Sequence, residues 1–272
     1  MILAMAISAG VAYVAASLLY LHYFVTRKQA AELAGRWALT FGFVIQTALL
    51  ITNYLFLGRF PVIDLKESLC FFSWSMSGMY LAMRRRPSAA PLGTFVAPVI
   101  AAFFVAAAIL PGKTFTPDDR FKTILFPFHI LVSFGGYAAF ALAFGSGIMY
   151  LLQERGLKAR RPGKMQERLP SLSELDGLLY GCLAIGFPLL TVGLVLGAIW
   201  LHKVQGVFVE WDPKIVASIV TWLVYAVILH TRLLTGWRGR RMAAMSVFGF
   251  ALVLITFLGA GAASSGFHNF FK

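Results

Sequence analysis

The chain has 272 residues, 59% of them hydrophobic and 13% charged, with a mean hydropathy of +0.78 and a formal net charge of +13. Hydropathy this high excludes a soluble domain of this length. Strand-like alternation is missing, which excludes a transmembrane barrel. Apolar runs near 2–25, 37–57, 67–83, 91–110, 126–152, 177–199, 215–231 and 242–263 approach or exceed the roughly 20 residues needed to cross about 30 Å of hydrocarbon. The expected fold is all-α: a single domain over 1–272, an integral membrane protein with about eight transmembrane helices.

The first run has no charged segment before it and Arg27 and Lys28 after it, so it reads as a span and not as a cleaved leader. Basic residues of the loops near 27–36, 84–86, 155–168 and 232–241 make up about two-thirds of all Lys and Arg, which places those loops in the cytoplasm and both termini outside. The charge is therefore a topology signal with affinity for anionic headgroups. It is not a nucleic-acid footprint. In the second run Gln46 and Asn53 are strong amides, suited to interhelical hydrogen bonds.

Cys70 and Cys182 stand alone in different runs without a CxxC, so neither a thiol-redox motif nor a covalent attachment site is present. Glycines at 135, 136, 145 and 147 and at 181, 186, 193 and 197 allow close helix packing or leave room for a flat ligand. Before the sixth run, Ser171 followed by Glu174 is a helix-start signal.

Five histidines remain, and intramembrane ionisable groups are costly enough to merit a functional reading. Topology sorts them into an outer group, His129, His202 and His268, and an inner pair, His22 and His230. Haem iron takes axial imidazoles from opposite faces of its ring, so an outer and an inner pair would make two positions for non-covalent haem b. Each histidine alone also reads as an interfacial side chain bonded to water or a headgroup. Between the sixth and seventh runs, at about 200–214, Phe208 and Trp211 offer an aromatic shelf for a porphyrin, and Lys203 and Lys214 could pair with its propionates. Other readings stay open: a headgroup-level anchor for Trp211, a turn for Asp212-Pro213 and snorkelling for the lysines.

The residues Trp211-Asp212-Pro213-Lys214, followed by TWLVYAVILHTR at 221–232, resemble the tryptophan-rich haem loop and next helix of the cytochrome c assembly family, the CcsA/CcmC haem-handling membrane proteins. That loop typically reads close to WGxYWxWDPKE. Gly206, an aromatic at Phe208 and WDPK are kept here, while Gln205 and Val209 stand at two tryptophan positions and Ile215 at the acidic one. His129 with Tyr137 beyond it, His230 in ILHTR and His268 after Gly266-Phe267 follow the family's order.

The resemblance covers roughly 70–270. It implies that His129 and His268 are axial ligands of an outer haem and His230 a ligand of an inner one; His22 rests on topology alone. It further implies haem transport across a bacterial cytoplasmic membrane for cytochrome c assembly. The partners would be apocytochrome c and a maturation protein with an outer domain. No hydrolytic set converges in the sequence, so the chain is expected to deliver haem and not to act as an enzyme. Two alternatives stay open: a regulator of haem biosynthesis, as in the shorter HemX-like branch, and a di-haem electron-transfer protein.

Overall fold

The computed structural model describes residues 1–84, 87–112, 123–159, 163, 165–209 and 211–255. Within them the chain forms α1 (Ile2–Thr26), α2 (Gln29–Leu57), α3 (Leu65–Met83), α4 (Gly93–Ile109), α5 (Leu125–Lys158), α6 (Leu172–Gln205), α7 (Pro213–Leu234) and α8 (Arg240–Leu254). No strand occurs among the described residues. The fold is that of a polytopic membrane protein, yet its helices are unequal. By length and apolarity α1, α2, α5, α6 and α7 can cross a bilayer, while α3, α4 and the described part of α8 are shorter.

Local chemistry sets several boundaries. Ser171 and Glu174 form the expected capping box, each accepting from the other's backbone N–H, so α6 begins at Leu172. It ends at Gly206, whose φ of 79° is the left-handed stop that glycine adopts without strain. Both α5 and α6 run 34 residues, roughly 50 Å at helical rise, so their ends stand beyond the hydrocarbon layer. Asp64 caps α3 by accepting from the Glu67 backbone N–H at 2.7 Å.

The helices pack as neighbouring pairs. α1 lies against α2 and α4, α3 against α4 and α5, and α5 against α6 and α8, while α7 lies against α6 and α8. Gln46 ties the first three together. Its Oε1 accepts from the Tyr13 hydroxyl, and its Nε2 donates to the Cys70 carbonyl at 2.8 Å and to Ser73 Oγ at 2.9 Å. Gln46→Leu keeps the volume but removes the acceptor of the Tyr13 hydroxyl and the donor to α3, and polar bonds within membranes average about 0.6 kcal/mol each. The expected loss is about 1–2 kcal/mol, read as a lower unfolding midpoint in detergent; an unchanged midpoint would refute it.

The α5–α6 contact is the most extensive among the described helices. A Cβ on Gly136 would meet the Gly186 carbonyl oxygen and the Leu190 nitrogen, both at 3.0 Å, and one on Gly186 would meet the Phe140 ring at 2.7 Å. Between the two meanings the glycines allowed, these positions take close packing. Nearer the α6 end that carries the aromatic loop, Gly193 and Gly197 receive Ser133 and His129. The floor of a cavity begins there.

Candidate functional site

That cavity, of about 370 Å³, lies where α5, α6 and α7 meet the 206–212 loop. His129, in the second turn of α5, lines it. Its ring sits over Gly197, where an added Cβ would come within 2.7 Å of Cε1. Nδ1 lies 2.7 Å from the Gly193 carbonyl oxygen. A carbonyl only accepts, so Nδ1 donates its proton there, and in the neutral ring the lone pair lies on Nε2. Two turns deeper, the Tyr137 hydroxyl reaches Ser218 Oγ of α7 at 3.5 Å. Trp200 of α6 packs on Phe126 with ring centroids 5.2 Å apart and closes the cavity on that side.

The loop is built as its residue types dictate. Gly206 turns the chain out of α6, with its N–H donating to the His202 carbonyl at 2.8 Å. Val207, Phe208 and Val209 follow, exposed, and Phe208 and Val209 line the cavity. Pro213 opens α7, where its missing N–H costs nothing. Asp212 just before it is buried, and its carbonyl accepts the Val216 N–H at 3.0 Å. Trp211 is 89% exposed and stands outside the cavity lining.

The candidate histidines separate in space. His129 is in the cavity. His202, exposed at the end of α6, stacks flat on Phe208 with centroids 4.0 Å apart, and so supports the loop. His230 is exposed near the other end of α7, with Nδ1 at 2.8 Å from the Ala226 carbonyl of its own helix. His22 is exposed at the same end of the bundle on α1, but α1 packs chiefly on α2 and α4, whereas α7 packs on α6 and α8. His22 and His230 thus stand on helices that do not pack extensively on each other. His268 and the Lys214 side chain lie outside the described residues.

One wall was not foreseen. Val62 and Ile63, from the loop between α2 and α3, close the cavity opposite α6. That loop is pinned by Arg59, which donates to both Glu67 oxygens at 2.9 and 3.0 Å, while Glu67 also accepts the Ile63 N–H at 2.8 Å. The Asp64-x-x-Glu67 spacing marks the start of α3, yet nothing local in it announces a contact with α5 some sixty residues on.

The family described as Cytochrome C assembly protein matches residues 62–268 of this sequence. The chain belongs to the cytochrome c assembly protein family. The match spans the cavity, the loop, His129, His230 and His268, and leaves out His22. Curated relatives include the cytochrome c biogenesis protein CcsA of Parasynechococcus marenigrum (strain WH8102), 31% identical over 255 residues and covering 82% of this chain and 83% of the relative. The CcsA of Mesostigma viride is 27% identical over 271 residues, covering 90% and 88%. Among solved structures, Cytochrome c Heme Lyase CcmF superposes with a TM-score of 0.66 at 15% identity, covering 98% of this chain and 46% of that one. This chain thus repeats the fold of about half of the larger protein. Its role lies in cytochrome c assembly.

Proposed function

We propose that the chain is a haem-handling component of cytochrome c assembly, and that the cavity beside His129 holds haem near the surface where the 206–212 loop lies. The observation that carries this is the state of the His129 ring. An imidazole that binds a metal almost always donates its other N–H to a carbonyl or carboxylate, which fixes the tautomer and the ring plane. His129 does this toward Gly193, the orientation in which Nε2 would be the iron-binding nitrogen.

The surroundings fit the same ligand. The cavity volume falls in the roughly 300–1,000 Å³ range of cofactor and small-ligand sites, and its lining is mostly aliphatic and aromatic. Phe208 can cover a porphyrin face, and Lys203, exposed in the last turn of α6, supplies a cation next to the loop. The family resemblance supplies His268 as the opposite axial ligand. Trp211, projecting from the loop, is suited to contact a partner: apocytochrome c or a maturation protein. At the other end His230 remains the candidate for a second haem position. His22, on α1, would meet it only across a gap between helices that do not pack extensively on each other. In this reading no bond is made or broken by the chain itself.

The test is the reduced-minus-oxidised absorption spectrum of protein purified from haem-replete cells. Wild type is expected to show a low-spin spectrum. His129→Ala is expected to lower haem affinity by at least the roughly 10–100-fold that follows loss of a mere supporting group, while His202→Ala leaves the spectrum in place. A wild-type protein without haem would overturn the proposal, as would a His129→Ala variant indistinguishable from wild type.

A further inference from the structure

Phe208 lines the cavity, yet it is 57% exposed, and Val207 and Val209 on either side are exposed as well. A loop with so few buried contacts opens at little cost. If it ordered only when a ligand arrived, part of the binding energy would be lost to that ordering.

His202 holds this loop from two directions. Its carbonyl accepts the Gly206 N–H at 2.8 Å, which fixes where the chain leaves α6. Its ring lies flat on Phe208, with centroids 4.0 Å apart and planes 4° apart. His202 itself is exposed and stands outside the cavity lining. It thus offers Phe208 an aromatic face while its nitrogens stay toward water, as suits a ring with an apolar body and a polar rim. The stack covers one side of the phenyl ring and leaves the rest of it to the cavity.

We propose that His202 is a positioning residue: it holds Phe208 at the cavity before haem binds and does not ligate the iron. This rests on haem being the ligand of the cavity. Sequence alone groups His202 with His129 as an outer histidine of the same chemistry, and the stack is what separates their roles. A phenyl ring can replace an imidazole in a stack but not at iron, so the two roles respond differently to one substitution.

The experiment compares the full chain as wild type, His202→Ala and His202→Phe in one detergent. A spin label on Val209→Cys reports the motion of the loop without haem, with protein lacking that cysteine as the background. Haem titration of the unlabelled proteins gives affinity. His202→Ala is expected to make the label more mobile and to weaken haem binding about three- to tenfold, the worth of one aromatic pair, with the low-spin spectrum in place. His202→Phe is expected to restore both the immobile label and the affinity. Loss of the low-spin spectrum in both variants would make His202 an iron ligand and overturn the proposal. A label equally mobile in wild type and His202→Ala overturns it too, while leaving the haem reading untouched. Wild type that takes up no haem overturns the haem reading, and with it any role of His202 in holding haem.

Discussion

Replacing Asp176 with alanine is expected to destabilise the bundle by about 3 kcal/mol, because it leaves a guanidinium stranded among helices. Asp176, in the first turns of α6, takes Arg232 of α7 in a two-point ion pair, with Nη1 on Oδ1 at 2.8 Å and Nη2 on Oδ2 at 2.6 Å. The same carboxylate accepts the Gly239 N–H at 2.8 Å, so one side chain holds α6, the end of α7 and the turn into α8. Arg232 also lies over the Tyr180 ring at 5.0 Å.

The pair retains 11% and 16% side-chain exposure, which places the loss toward the lower end of the roughly 3–5 kcal/mol seen when one partner of a buried pair is removed. Losing both charges is less harmful than losing one, since the cost lies in the unpaired ion. Asp176→Leu with Arg232→Met is therefore expected to unfold at a higher temperature than Asp176→Ala alone. The check is thermal unfolding of the three proteins in one detergent. A single variant as stable as the double one would refute the argument. His230 stands two residues from Arg232, so the single variant is also expected to weaken any haem held at that end, with His129 unaffected.

The way these residues were legible in the sequence differs from one to the next. Membrane class and helix number follow from hydropathy, a property of contiguous residues. So do the start of α6, set by Ser171 and Glu174, and its stop at Gly206, because caps and left-handed turns are local chemistry. Gln46 was recognisable as an interhelical donor since an amide in hydrocarbon must find a partner, although the partners themselves were not.

Sequence order tells which end of the bundle a histidine occupies, and that much placed His129 near the loop. It does not tell which helices adjoin: His22 and His230 share an end of the bundle, yet α1 packs chiefly beside α2 and α4. Adjacency arises from small residues scattered over several helices, such as Gly136 against Gly186, with no signal in either run alone. For the same reason Val62 and Ile63 gave no sign of forming a wall. Trp211 was legible as an aromatic of the loop, but its outward direction depends on how Gly206 and Pro213 aim the chain between α6 and α7.

Gly197→Ala is expected to remove haem binding while leaving the fold nearly as stable as before, and the reason lies in what the new methyl would strike. It would come within 2.7 Å of His129 Cε1 and 2.9 Å of Nδ1, both in a side chain that can rotate. The ring swings aside at small cost to packing, and alanine in a helix gains about 1 kcal/mol over glycine, so overpacking and propensity nearly cancel. The displaced ring can no longer hold its Nδ1 proton on the Gly193 carbonyl, and Nε2 no longer points where it did. Affinity for haem is expected to fall about 10–100-fold, as when a metal-binding imidazole loses its orienting partner. Gly136→Ala is the opposite case. Its methyl would meet the Gly186 oxygen and the Leu190 nitrogen at 3.0 Å, both backbone, so the helices themselves must separate. That variant is expected to lose about 1–3 kcal/mol of stability with haem affinity largely kept. Haem titration followed by absorption, beside thermal unfolding of both variants, separates the two effects. If Gly197→Ala binds haem like wild type, the placement of the His129 ring is not what holds the iron.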